Sequence, residues 1–320
     1  MIKTAKKLTL VLALGSLILS SACTRVPEQI EPKIDYSVQD RYLLRLPSPF
    51  LPLSEEEEEK EWAREYKIAM GFAHELDLYQ AITAFKRALF LLPKKERQRQ
   101  IELQYEVLLC YYIGKRYSEV VQTFDTSGLR FVGAEFSASH DLLIILFDSY
   151  NHIKEPEKAQ KILDYMQVHY PEEAQKLALS QSLQEGNIPL IEQVATLPNY
   201  DYLSSLLSCY EKEKKSVQKA QVFNALLPGA GYLYVGQKQS AMTAFLLNGL
   251  FIGASYYFFH KGNIPAGIIF TGFESGWYFG GIYGAGEEAN FYNERMYEKC
   301  AAPVMNQHKL FPILSLRYAF

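Results

Sequence analysis

AMGFAHELDLYQAITAFKRALFLLP, residues 69–93, decides the fold of this chain. Its small and aromatic positions, Ala69, Phe72, Ala81, Phe85 and Ala88, run up to Pro93, and the same spacing returns further on. Phe72, Tyr111 and Tyr150 stand 39 residues apart; so do Ala81, Val120 and Ala159, and so do Phe85, Phe124 and Leu163. Pro93 and Pro171 close the first and third units, while Val132 holds that place in the second. Small residues let helices approach, aromatic residues fill the space between neighbouring units, and proline, lacking an N–H, stops the second helix of each. Ser54-x-x-Glu57 has the form of a capping box, and the acidic run 55–59 lies at the positive end of a helix dipole. Helix is therefore expected from residue 54 and helical repeats over 54–195.

These offsets resemble the tetratricopeptide repeat, two helices per unit with small, aromatic and proline positions in this order. The period of 39 instead of 34 and the absent tryptophan depart from the family pattern and imply longer connections. The resemblance implies a curved array whose first helices line a concave surface. Carried over position by position, that surface takes Tyr66, Met70 and His74 from unit one, Tyr105, Leu109 and Tyr112 from unit two, and Ile144, Asp148 and Asn151 from unit three. Two readings stand: a groove for an extended or helical segment of a partner protein, or packing positions covered by residues 24–52 or by a fourth helix pair near 172–195.

Beyond a connecting helical segment at 196–224 the composition changes. Residues 240–259 form a 20-residue stretch without charge, the length a spanning helix needs. After a short connection, residues 264–285 form a second apolar stretch carrying one acid, Glu274. Gly272, Gly276, Gly280 and Gly284 recur every fourth residue, and Gly249 with Gly253 gives the first stretch a matching notch. In lipid such small residues permit close helix packing, whereas in water each glycine costs a helix about 1 kcal/mol. A glycine-rich transmembrane helical hairpin over 225–286 is expected, with Asn248 and Glu274 near the same depth. Glu274 is expected to pair with Asn248, Thr271 or Tyr278, or to meet a second copy of the chain. The opening Pro228-Gly229-Ala230-Gly231-Tyr232-Leu233-Tyr234-Val235-Gly236 resembles the turn of small two-helix bacterial membrane modules of the TM2-like kind, which carry no chemistry to transfer. Residues 287–320 read as an amphipathic helix and a short terminal strand, from the alternation of Leu314, Leu316, Tyr318 and Phe320. The fold class expected is thus all-α: a TPR-like helical repeat solenoid, a transmembrane hairpin and a short C-terminal tail.

The first 22 residues carry Lys3, Lys6 and Lys7, an apolar stretch 8–19 too short for a stable span, and Ser20-Ser21-Ala22 before Cys23. The arrangement resembles a bacterial lipoprotein signal, although Ser20 stands where that family usually has leucine. It implies lipidation at Cys23, a tether over 23–53, and a repeat domain in the periplasm of the bacterial cell envelope, with inner or outer membrane undecided. Residues 24–52, with five prolines, read as a wet tether reaching roughly 80–90 Å, and equally Tyr42 to Leu53 reads as an arm packed along the domain that follows. Loss of residues 1–22 leaves 30 basic against 36 acidic residues, a balance of −6 that gives no support to nucleic-acid binding. Cys110, Cys209 and Cys300 show no metal-like spacing, and one disulfide among them is open. Lys212, Lys214, Lys215, Lys219 and Lys238 would lie on the exported side of the hairpin, against the positive-inside tendency.

No catalytic constellation emerges. The six histidines lack HExxH or paired metal spacing, Gly272-Phe273-Glu274-Ser275-Gly276 lacks the first glycine of a nucleophile elbow, and no P-loop is present. Neither cofactor nor metal nor enzymatic activity is expected. The function expected is an envelope lipoprotein acting as a protein-binding adaptor or scaffold, in contact with membrane lipid. The alternative is a self-associating membrane component, a homo-oligomer through the hairpin, that assists transport or assembly.

Overall fold

The structure, a computed structural model, describes residues 26–34 and 40–320. The signal 1–22 and the lipidation residue Cys23 lie outside the described residues. Within those residues the chain is helical and contains no strand, so the fold class is all-α. It divides into two compact units, one made of 26–34 with 195–301 and the other of 40–194 with 302–320.

The second of these begins with α1 (Asp40–Leu43) and α2 (Glu55–Glu58), then α3 (Glu61–His74) and α4 (Leu78–Leu91). It continues with α5 (Arg97–Ile113), α6 (Tyr117–Thr126), α7 (Ser139–His152), α8 (Pro156–His169), α9 (Pro171–Gln184) and α10 (Ile188–Ala195). Each of α3 to α8 packs on the next in sequence, and α5 also touches α7. The capping box forms as expected: Glu57 N donates to Ser54 Oγ and Ser54 N to the Glu57 carboxylate. It starts only one turn, because the chain breaks at 59–60 before α3.

The 39-residue period is visible in burial. Ala81, Val120 and Ala159 are 0%, 0% and 2% exposed, so a larger side chain has no room at any of the three. It is visible again in backbone shape. Leu76, Lys115 and Lys154, also 39 apart, all take the left-handed conformation, with φ of 57°, 56° and 60°. At each, the next residue returns its N–H to the carbonyl of the period aromatic: Asp77 to Phe72, Arg116 to Tyr111 and Glu155 to Tyr150. This six-to-one closure ends a helix by satisfying its last carbonyls. Asn187 to Ser182 repeats it around Gly186, which marks a fourth helix pair, α9 and α10.

Residues 302–320 complete this unit without the expected strand. Pro312–Ser315 is a 3-10 turn, followed by non-helical chain to Phe320. Pro312 starts that turn, and the N–H groups of Arg317, Tyr318 and Ala319 bond to side chains or to residue 47 rather than to a ladder.

The other unit contains α11 (Asp201–Glu213), α12 (Val217–Leu226), α13 (Ala230–Val235), α14 (Lys238–His260) and α15 (Ile264–Gln307), the last as far as residue 301. The expected division at 286/287 is no break, since α15 runs through it as one 44-residue helix, about 66 Å long. Its core joins Val26, Val217, Ala220, Val235 and Ala289, with Tyr234 and Tyr292 packed against them. Asn293 clamps the turn before α12, accepting from Lys215 N at 2.7 Å and donating to Lys215 O at 2.8 Å. A disulfide joins Cys209 on α11 to Cys300 on α15, and Cys110 is a buried free thiol in the repeat-bearing unit. Glycine is required at the opening turn: Gly229 has φ 93° and lies against the backbone of Ala241, while Gly231 lies against Ala220 O. Residues 26–34 run along α15, with Asn290 donating to Pro27 O at 2.7 Å and Glu31 N to the Glu294 carboxylate at 3.1 Å.

Candidate functional site

The nine positions assigned to a partner groove do not form an open surface. Tyr105, Leu109, Tyr112 and Ile144 are fully buried and Asp148 is 3% exposed; Tyr66, Met70 and Asn151 are half-buried and His74 is exposed. Only the first unit and Asn151 present anything to solvent, so the groove as expected is corrected to a covered face. The cover comes from the chain itself.

Residues 40–53 cover the first part. Phe50 sets its ring edge-on to Tyr105 at 5.7 Å and tilts against Phe136, also at 5.7 Å. Arg99 on α5 holds the backbone of this arm, donating to Leu51 O and Pro52 O at 3.0 Å each. The same guanidinium bonds Glu57 at 2.8 Å and 3.0 Å and Glu102 at 2.7 Å. The hydrogen bond from Arg99 keeps the Glu57 carboxyl at about 2, below the usual carboxylate range. The segment from Tyr42 to Leu53 is therefore a packed arm, one of the two readings its sequence allowed.

Residues 310–320 cover the second part, against α7 and α9. Leu310, Phe311, Ile313, Leu316, Ala319 and Phe320 are all buried. Asp141, itself fully buried on α7, is the polar anchor: its Oδ2 accepts from Arg317 N and Tyr318 N at 2.9 Å each, and His140 Nδ1 lies 2.8 Å from Oδ1. Arg317 reaches Glu173 on α9 at 2.9 Å. Tyr42 donates its hydroxyl to Leu314 O at 2.8 Å, and Ala319 N donates to Pro47 O at 3.0 Å, tying tail to arm. Asp141, Arg99 and Glu173 were not singled out by sequence, because nothing in local spacing marks a carboxylate that waits for a backbone 176 residues away.

Two of the predicted positions meet directly. Tyr112 donates to Asp148 at 2.7 Å, and Asp148 lies 3.4 Å from His152, whose ring stacks on Tyr117 at 3.9 Å. Burial lowers the His152 pKa, but the bonds from Asp148 outweigh it and leave a net rise. Glu106 is fully buried, and neither carboxylate oxygen has a partner among the described residues. Burial, with Glu102 adding, pushes its carboxyl well above the usual carboxylate range.

In the other unit, α14 is the one described helix long and apolar enough to cross a membrane, and only 17% of its most apolar window is buried. Two spans were expected and one described helix qualifies. Phe245, Leu246, Leu250 and Ile252 on α14 and Ile268, Ile269 and Phe273 on α15 are all more than half exposed. The glycine ridge is not the seam between the helices. A Cβ at Gly249, Gly253, Gly272, Gly276 or Gly280 would meet nothing within 4 Å, and only Gly284 is approached, by the Tyr232 hydroxyl. Aromatic rings make the seam instead: Phe258 stacks on Phe270 at 5.2 Å, and Phe251 meets Phe270 and Phe273 at 6.5 Å and 6.3 Å. Beside the ridge lies a recess of about 560 Å³ lined by Tyr232, Thr243, Trp277, Gly276, Gly280 and Glu288.

Asn248, 3% exposed, donates to Ala244 O at 2.6 Å, Thr271 to Gly267 O at 2.9 Å, and Tyr278 to Ala225 O at 2.6 Å. All three residues expected to pair with Glu274 thus bond elsewhere. Asn248 Oδ1 and Glu274 Oε2 are buried without a partner among the described residues. No group of three or more His, Cys, Asp or Glu side chains that could hold a metal occurs among them either. No family model matches the chain, and no curated protein and no solved structure resembles it significantly.

Proposed function

We propose that this chain is a membrane-attached adaptor of the bacterial cell envelope, in which TPR-like helical repeats receive protein segments and an apolar helical hairpin, with a lipid on Cys23, holds them at the bilayer. The observation that carries the reading is how the first helices of the pairs treat non-helical chain. Arg99 donates to two backbone carbonyls of the arm, and Asp141 accepts two backbone N–H groups of the tail. Side chains that bind backbone accept many sequences, which suits a surface that receives segments. The outward side chains of α14 support the second half, since an apolar patch of this size in water marks an interaction surface or a membrane contact.

A photo-reactive residue at His74, exposed on the last turn of α3, tests the adaptor in intact cells. A heterologous adduct in the membrane fraction is expected, and adducts to copies of the chain alone would replace the adaptor by a self-associating assembly. That second reading has its own support in the ridge Gly272, Gly276 and Gly280, which faces open space beside a recess. Fatty-acid labelling of the wild type and of Cys23→Ala tests the anchor, with label expected only in the first.

A further inference from the structure

We propose that residues 310–320 are a resident ligand of the α7–α9 face, exchangeable with a second segment of the same chemistry: an arginine followed by an aromatic residue, flanked by apolar residues. The trans half of this statement rests on the adaptor reading; the cis half rests on contacts already given.

Asp141 is the reason the face requires an occupant. Its carboxylate is fully buried, and apart from His140 its hydrogen bonds come from Arg317 N and Tyr318 N. Seating a segment takes the Asp141 carboxylate out of water, so the face accepts only a segment that supplies two adjacent backbone N–H groups in return. Backbone donors set geometry and leave sequence free. Choice of sequence comes from two other features. Glu173 is partly exposed and pairs with Arg317, whose side chain is half exposed, so this contact forms and breaks at the solvent edge. Ile313, Leu316 and Phe320 fill apolar space and ask for apolar residues at matching steps. The segment has little internal structure of its own to lose on leaving: one 3-10 turn, then non-helical chain.

Tethering gives the resident segment an effective concentration on the order of millimolar. A trans segment therefore sees only the small fraction of molecules with an open face, and its apparent affinity falls by that fraction. Weakening the cis contact must raise trans affinity, the signature that separates a displaceable ligand from a fixed part of the core.

The test uses the full chain in detergent micelles and a fluorescein-labelled peptide of residues 308–320, read by anisotropy. Arg317→Glu sets like charges against Glu173 in cis while the peptide keeps its arginine. Peptide affinity for this variant is expected to exceed that for wild type by at least about tenfold. Adding Glu173→Arg restores the cis pair with reversed charges and repels the peptide, and is expected to return affinity to wild type or below. Asp141→Ala in the Arg317→Glu background is expected to abolish binding. Equal affinity for wild type and Arg317→Glu, or binding that survives Asp141→Ala, overturns the proposal. So does global loss of helicity in Arg317→Glu rescued by Glu173→Arg, which would make the segment an obligatory part of the core. Adducts at His74 without peptide binding would leave the adaptor standing and remove only this inference; peptide binding without adducts would do the reverse.

Discussion

The repeat-bearing unit and the hairpin-bearing unit are both built from helices, and they bury different kinds of side chain. In the first, Phe85, Tyr105, Tyr112 and Phe147 are shut inside, together with the acids Glu106, Asp141 and Asp148. In the second, Phe245, Leu246, Leu250, Ile252 and Phe273 stand more than half exposed, while Asn224, Asn248, Asn290 and Asn293 are buried. Helix content therefore says nothing about what a unit buries: acids lie among the rings in one, asparagines among small and apolar residues in the other.

The largest expected effect breaks the first unit alone. Phe85→Ala removes a fully buried ring and is expected to cost about 3–5 kcal/mol, read as an early thermal transition with membrane partition unchanged. Next is the cross-link of the second unit. Cys209→Ser or Cys300→Ser opens a loop spanning 91 residues, with roughly 2–4 kcal/mol expected from that unit's melting and none from the repeats. Sidedness itself is tested by a pair. Leu246→Arg, on the outward face of α14, is expected to cost up to about 3 kcal/mol of insertion, read by carbonate extraction. Phe90→Arg, at a position 89% exposed in the repeat-bearing unit, is expected to stay within about 0.5 kcal/mol.

Acid sharpens the contrast. The Glu57 carboxyl is held at about 2 by Arg99, below its unfolded value, so its contribution is complete above the unfolded pKa of about 4.3 and is lost as pH falls toward 2. A loss of roughly 1 kcal/mol is expected from the repeat-bearing unit in that window, because the pair is partly open to solvent. Glu57→Gln is expected to remove this pH dependence. The Asn293 clamp in the other unit has no proton to gain and is expected to hold there. One substitution is expected to give a gain. Lys154→Gly relieves a left-handed backbone at φ 60° and is expected to raise stability by about 0.5–1 kcal/mol in a denaturant melt.

What the sequence made legible follows a physical pattern. The period of 39 could be read because each repeat asks the same steric question, and Ala81, Val120 and Ala159 answer it with small side chains. The capping box at Ser54 could be read because it is local. The covered face could not, since Asp141 meets Arg317 and Tyr318 across 176 and 177 residues and such a pairing leaves no spacing to notice. Nor could the hairpin seam. Glycine periodicity marks where close approach is allowed, whereas the contact between α14 and α15 went to Phe251, Phe258, Phe270 and Phe273.

The distance from Asp141 to its donors also sets a clock. Translation at about 5–20 residues per second puts roughly 9–35 seconds between the appearance of residue 141 and that of residue 317. Throughout that interval Asp141 waits for the two backbone donors that close its site, because the segment that carries them has not yet been made.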